Sequence, residues 1–156
     1  MNKTRIFVDA DSCPSSVRNV ILNKAAEKSL EVIFAANRNI PFDFENPLFK
    51  MKICPSGKDS ADSFIENESS QKDIIITRDI LLAGRLLKKN KTVINDRGTR
   101  FTEKNISRFL EERELSLQME ALGLHKGKSR KVFGEKELSS FKECFFRELE
   151  AVLIHS

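Results

Sequence analysis

Acidic residues recur at equivalent places along this chain, just after a β-branched run or at the start of the helical pattern that follows it. They are Asp9 and Asp11, Asp59 and Asp62, Asp79, and Asp96. In a parallel sheet these positions converge on one edge, where open α/β folds bind their ligands. Asp9 and Asp11 are the sharpest case, since they lie between the apolar run Ile6-Phe7-Val8 and the helix-like pattern that follows Ser12-Cys13-Pro14. If the strand ending at Thr77 lies beside the first one, Asp79 faces Asp9 across the crevice. Carboxylates gathered in this way repel one another at neutral pH, which predicts either bound Mg²⁺ or Mn²⁺ or raised carboxyl pKa values. A hard cation held by aspartates, with the rest of its shell left to water and phosphate oxygen, polarises a phosphodiester and lowers the pKa of an attacking water.

Each acid also has a plainer role open to it. Asp59 can cap a helix and Asp62 can complement its macrodipole, so that pair divides between cap and ligand. Asp79 stands where an N-cap would stand. Asp96-Arg97-Gly98 has the composition of a turn. Asp9 has the weakest plain alternative, because an acid that directly ends a buried apolar strand is costly unless paired or coordinated. Cys13 opens a helix, where a thiolate is stabilised. The step from Cys13 to Arg18, however, lacks the five intervening residues of a phosphotyrosine-phosphatase loop, and His125 and His155 are distant in sequence. No catalytic part is assigned to the cysteine or to the two histidines.

The elements that must position these acids are short. Strands are expected at Ile6 to Val8, Val32 to Ala36, Met51 to Ile53, Ile74 to Thr77 and Val93 to Ile94, and such continuous apolar runs suit a sheet covered on both faces. Val17, Val20, Ile21 and Ala25 mark a helix between the first two strands, Phe64 and Ile65 open another, and Leu82, Leu86 and Leu87 mark a third. This alternation predicts an α/β three-layer sandwich with a mostly parallel central sheet. Residues 37–50 carry Pro41, Pro47 and scattered phenylalanines instead of a helical stripe, which leaves the direction of the third strand open. Two further helices are expected to pack on the same domain, over 102–123 with Gly123 as its C-cap and over 136–154 along Leu138, Phe141, Phe145, Leu149 and Val152.

Composition narrows the class. A chain of 156 residues with 40% hydrophobic content fits one globular domain, 1–156. No window is long and apolar enough to cross a bilayer, so a cytoplasmic protein without membrane contact is expected. Three cysteines without CxxC spacing argue against a disulfide framework and a structural zinc site. The net charge is only +4, but Lys126-Gly127-Lys128-Ser129-Arg130-Lys131 is a compact basic run that could follow a phosphate backbone.

Taken together, these residues resemble the YaiI/YqxD family of bacterial proteins, which is grouped by fold with PIN-like domains. The resemblance rests on Val8-Asp9-Ala10-Asp11-Ser12-Cys13-Pro14, Ala36-Asn37, Gly57 with Asp59 to Asp62, Thr77-Arg78-Asp79-Ile80, and Asp96-Arg97-Gly98 followed by Phe101-Thr102 and Asn105-Ile106. It implies a PIN-like sheet in which Asp9, a helix acid such as Asp62, Asp79 and Asp96 take the positions of the metal-binding carboxylates of PIN nucleases.

The leading expectation is therefore a Mg²⁺- or Mn²⁺-dependent nuclease acting on nucleic acid, RNA before DNA. Asp9 and Asp79 are its central ligands, Asp11, Asp62 and Asp96 support them, and Ser12, Arg97, Arg100, Lys126, Lys128, Arg130 and Lys131 hold phosphate. A second enzyme reading takes Asp9-x-Asp11 as a haloacid-dehalogenase arrangement, with Asp9 as nucleophile, Asp11 as general acid and Thr77 as phosphoryl ligand. The third is a non-catalytic nucleic-acid- or protein-binding module whose acids are only caps. Oligomeric state does not follow from the sequence.

Overall fold

A computed structural model of the chain describes residues 3–42, 45–55, 60–124 and 132–155. The elements run β1 (Arg5–Asp9), α1 (Ser15–Lys28), β2 (Glu31–Ala36), β3 (Phe49–Ile53), α2 (Ser60–Glu68), β4 (Ile74–Ile76), α3 (Ile80–Lys88), β5 (Thr92–Ile94), α4 (Glu103–Ala121) and α5 (Glu135–His155). The five strands form one sheet in the order β3-β2-β1-β4-β5, and every pairing is parallel. The strand order reverses on either side of β1, so the crevice beside its carboxyl end is the place where such sheets hold ligands.

Side chains alternate across the sheet, as the two-residue period of a strand requires. Ile6, Val8, Val32, Phe34, Ile74, Ile76 and Ile94 pack on one face against Val17, Ile21 and Leu22 of α1 and Phe141, Phe145 and Leu149 of α5. Phe7, Ile33, Ala35, Ile75 and Val93 pack on the other against Ala61 and Ile65 of α2, Leu82, Ala83 and Leu86 of α3, and Ile106 of α4. With helices on both sides, the centres of β1 and β4 need no polar face, which is why Ile6-Phe7-Val8 and Ile74-Ile75-Ile76 are apolar throughout.

The third strand is parallel to the second. The chain reaches it without a helix: Ile40 is buried and Phe42 sets its ring 5.2 Å from that of Phe34, so two side chains cover the sheet where a helical stripe would have done so. Helix α2 begins at Ser60, four residues before Phe64, because its first turn is polar and apolar periodicity cannot reveal it. Helix α4 differs from expectation in its packing. Ile106 is its only buried residue, Phe109 is half-buried, and Leu115, Leu117 and Leu122 face solvent, Leu122 with 72% of its surface exposed. The stripe that suggested a packed helix is real as a pattern, but only its first turns meet α3. Gly123 does follow the helix end in left-handed backbone (φ 69°), and Leu124 N–H returns to Met119 O at 3.0 Å.

A second glycine is needed for a close approach. Gly98 has φ 87°, and a Cβ there would lie 2.4 Å from the Ser140 carbonyl oxygen, so the turn after β5 sits directly on α5. Among the described residues, no helix is long and apolar enough to cross a membrane.

Candidate active site

The parallel register sets Val8 beside Ile76, so the residues that end β1 and follow β4 emerge side by side. Asp9 accepts a hydrogen bond from the Thr77 hydroxyl at 2.9 Å, and the same hydroxyl accepts from the Asp79 backbone N–H at 3.0 Å. Thr77 thus joins the two strand ends through one buried oxygen. Asp79 is the N-cap of α3, its Oδ1 accepting from Leu81 N–H at 2.9 Å and Leu82 N–H at 3.1 Å. The capping role and the place in the crevice are held by the same side chain.

Asp62, in the first turn of α2, meets Asp79 from the opposite wall. Two carboxyl groups bond only with a proton between them, and Asp62 accordingly has its pKa raised to about 7. Burial is the main cause, followed by the bond to Asp79 and the charges of Asp79 and Asp9, with Arg85 opposing. Asp9 is also raised: burial leads, the Thr77 hydroxyl opposes it, and Asp79 and Asp11 add repulsion. Asp11 is exposed, and both its oxygens accept from the Asn37 backbone N–H, at 3.0 and 3.3 Å, so it also closes the end of β2. Asp9, Asp11, Ser12, Asp62 and Asp79 line one open cleft of about 570 Å³, together with Arg78 and Arg113. A hollow of similar size at the opposite edge of the sheet is lined by Lys3, Thr4, Arg5 and Glu31 and gathers no cluster of acids.

Several expected residues are not brought to this cleft. Asp96 is buried behind it, with its Oδ2 accepting from Arg78 Nε at 2.8 Å and its Oδ1 unpartnered. The turn after β5 is made by Asn95, whose Oδ1 accepts from Arg97 and Thr99 N–H at 3.0 and 2.9 Å, not by Asp96. Arg97 lies over the Phe133 ring, 5.4 Å from its centre. Arg100 pairs with Glu148 at 3.0 Å and lines a separate hollow with Lys72, Thr92 and His155, beside the starts of the strands. Asp59, Lys126, Lys128, Arg130 and Lys131, with His125, lie outside the described residues. Cys13 is buried, and burial with the neighbouring Asp96 charge pushes its thiol up to about 12, the opposite of an activated nucleophile.

Among the described residues, the cationic ones lining the cleft are Arg78 and Arg113, neither of which sequence reasoning selected. Arg78 could have been found from its place between Thr77 and Asp79. Arg113 could not, because only the course of α4 along α3 carries it there.

The acids suit a hard divalent cation in donor type and in unbalanced charge. Among the described residues, however, no three acid, histidine or cysteine side chains stand close enough to hold an ion as they are arranged. A proton on Asp62 relieves the repulsion among these acids, and it would leave as a cation entered.

A parallel α/β sheet with an acidic cleft at its carboxyl edge defines the class. Comparison with known sequences gives the family. Residues 7–151 match the sequence profile described as "Uncharacterized BCR, YaiI/YqxD family". A UPF0178 protein of Treponema denticola is 41% identical over 137 residues, covering 88% of this chain and 86% of that protein. One from Psychromonas ingrahamii is 34% identical, covering 93% and 95%, and one from Shewanella sp. strain ANA-3 is 30% identical, covering 99% of each. No solved structure matches the chain with significance. The chain belongs to the YaiI/YqxD family.

Proposed function

We propose that this protein is a Mg²⁺- or Mn²⁺-dependent phosphodiesterase acting on nucleic acid, with single-stranded RNA the first substrate to test and DNA the second. The observation that carries the reading is the convergence of Asp9, Asp62 and Asp79 from three separate elements onto one open cleft, where burial and the other two acids raise the Asp62 pKa. Acids placed only to cap helices would not be gathered in this way. The resemblance to PIN-like nucleases points in the same direction.

Asp9 and Asp79 would hold the ion, with Asp62 and Asp11 at its flanks. The ion, when bound, would polarise the phosphodiester and ease deprotonation of the attacking water. Thr77 keeps Asp9 oriented by donating to Oδ2, which leaves Oδ1 without a hydrogen-bond partner among the described residues. Asp62, whose pKa is raised by burial and by its acidic neighbours, can hold a proton in the metal-free cleft and would give it up as the ion binds. Arg78, Arg113 and the exposed Ser12 hydroxyl offer donors to phosphate oxygens. No observation favours the haloacid-dehalogenase arrangement, because the Thr77 hydroxyl that would bind the phosphoryl group is buried and already shared between Asp9 and the Asp79 amide.

The test is cleavage of a labelled single-stranded oligoribonucleotide in Mn²⁺. Wild-type protein is expected to cleave it, and Asp9→Asn is expected to lose that activity while keeping its circular dichroism and melting temperature. Cleavage undiminished in Asp9→Asn, or none by the wild type, refutes the reading.

A further inference from the structure

We infer that Arg78 is the phosphate clamp of this cleft and that the buried Asp96 is its positioning residue. The inference rests on the reading of the cleft as a nucleic-acid phosphate site and adds to it the residue that grips the backbone. Asp96 is 2% exposed. A carboxylate taken so far out of water is costly unless its oxygens are fully hydrogen-bonded. This one has a single hydrogen bond, from Arg78 Nε at 2.8 Å, and its second oxygen has none. A pair placed for stability alone would satisfy both oxygens. The feature that Asp96 does secure is the direction of one guanidinium.

Arg78 is fixed from both ends. Its neighbour Thr77 donates its backbone N–H to Ile94 O at 3.0 Å and its hydroxyl to Asp9, while its other neighbour, Asp79, caps α3. The backbone can therefore place the side chain in only a narrow range. At the far end, Asp96 engages Nε. Because the guanidinium is planar, holding Nε sets the plane of the whole group. Arg78 is 43% exposed, lines the cleft, and has no hydrogen bond from Nη1 or Nη2 to any described residue. Two free, pre-oriented nitrogens suit a bidentate grip on phosphate oxygens beside the acids. Asp96 does not itself line the cleft and reaches it only through its bond to Arg78, so its effect on binding passes through that arginine.

The test is binding of a short fluorescein-labelled single-stranded oligoribonucleotide in EDTA, read by anisotropy, with the melting temperature of each variant recorded. Arg78→Ala is expected to weaken binding by roughly tenfold, the effect of losing one charge-assisted contact. Arg78→Lys is expected to recover less than half of that loss, because an ammonium has no second and third nitrogen to present to phosphate in a plane fixed by Asp96. Asp96→Asn, which keeps the shape and an acceptor, is expected to weaken binding by roughly threefold in the wild-type background and not at all in the Arg78→Ala background. Three results overturn the inference: no binding by the wild type, unchanged binding by Arg78→Ala, or an Asp96→Asn loss that persists without the arginine. Because the assay needs no divalent cation, Arg78-dependent binding without Mn²⁺-dependent cleavage would sink the proposed chemistry and leave the clamp standing. Cleavage without Arg78-dependent binding would do the reverse.

Discussion

Replacing Asp62 by asparagine should make the protein more stable at alkaline pH and not at acid pH. The folded-state pKa of Asp62, about 7, stands above its ordinary 3.8, with burial the first cause and the Asp79 carboxyl the second. Between these two values the folded protein keeps a proton that the unfolded chain has released. The stability attached to this group is therefore full below 3.8, falls as pH rises, and levels off above about 7. At about 1.4 kcal/mol per pH unit the whole rise corresponds to about 4 kcal/mol. Partial solvation of Asp62 halves the effect, to about 2 kcal/mol. Asparagine is neutral throughout and can still donate to Asp79 from its amide, so Asp62→Asn removes the penalty without emptying the space. Urea unfolding at about pH 4 and about pH 8 measures it: the two proteins should agree at the lower pH, and at the higher the variant's midpoint should rise by roughly 1 M with unchanged slope. The difference between the two proteins reports Asp62 together with its interactions with Asp79 and Asp9. A variant less stable than wild type at about pH 8, or a difference that does not change with pH, refutes the shared proton.

Two further outcomes separate roles that coincide in one residue or one turn. Asp79→Ala should cost about 1 kcal/mol through loss of the α3 cap, while Asp79→Ser should restore most of that in thermal unfolding; neither should cleave RNA, and a serine variant with full activity would leave Asp79 as a cap alone. Gly98→Ala should destabilise by more than about 2 kcal/mol, since its φ of 87° is strained for alanine and the new Cβ would meet the Ser140 carbonyl at 2.4 Å. An unfolding free energy from urea within about 0.5 kcal/mol of wild type would show that α5 yields to it.

The sheet was legible in the sequence because β1, β2, β4 and β5 are buried on both faces over most of their length and read as short apolar runs, whereas the edge strand β3 alternates Phe49 and Met51 with the exposed Lys50 and Lys52. Their parallel pairing followed from the helices between them, except at β3, where Ile40 and Phe42 replace a helix and no periodicity survives. The gathering of Asp9, Asp62 and Asp79 was legible for the same topological reason, since residues after parallel strands must share an edge. Asp96 obeys that rule of position yet points away: its carboxylate turns back to Arg78, and Asn95 builds the turn. Sequence spacing locates a Cα but not the rotamer that a buried arginine contact selects. The exposed half of α4 fails for a related reason, because amphipathic spacing reports which residues could face a partner and not whether one is present.

The Thr77 hydroxyl that joins Asp9 to the Asp79 amide spans 68 positions of chain. A fragment ending after β3 would own the first two aspartates, and even a place for them beside β2, yet none of their counterparts. The pocket is thus a readout of complete assembly. If RNA or Mn²⁺ binds there as proposed, its binding reports on the union of the two halves of the sheet, and a truncated or misregistered chain should be silent to both.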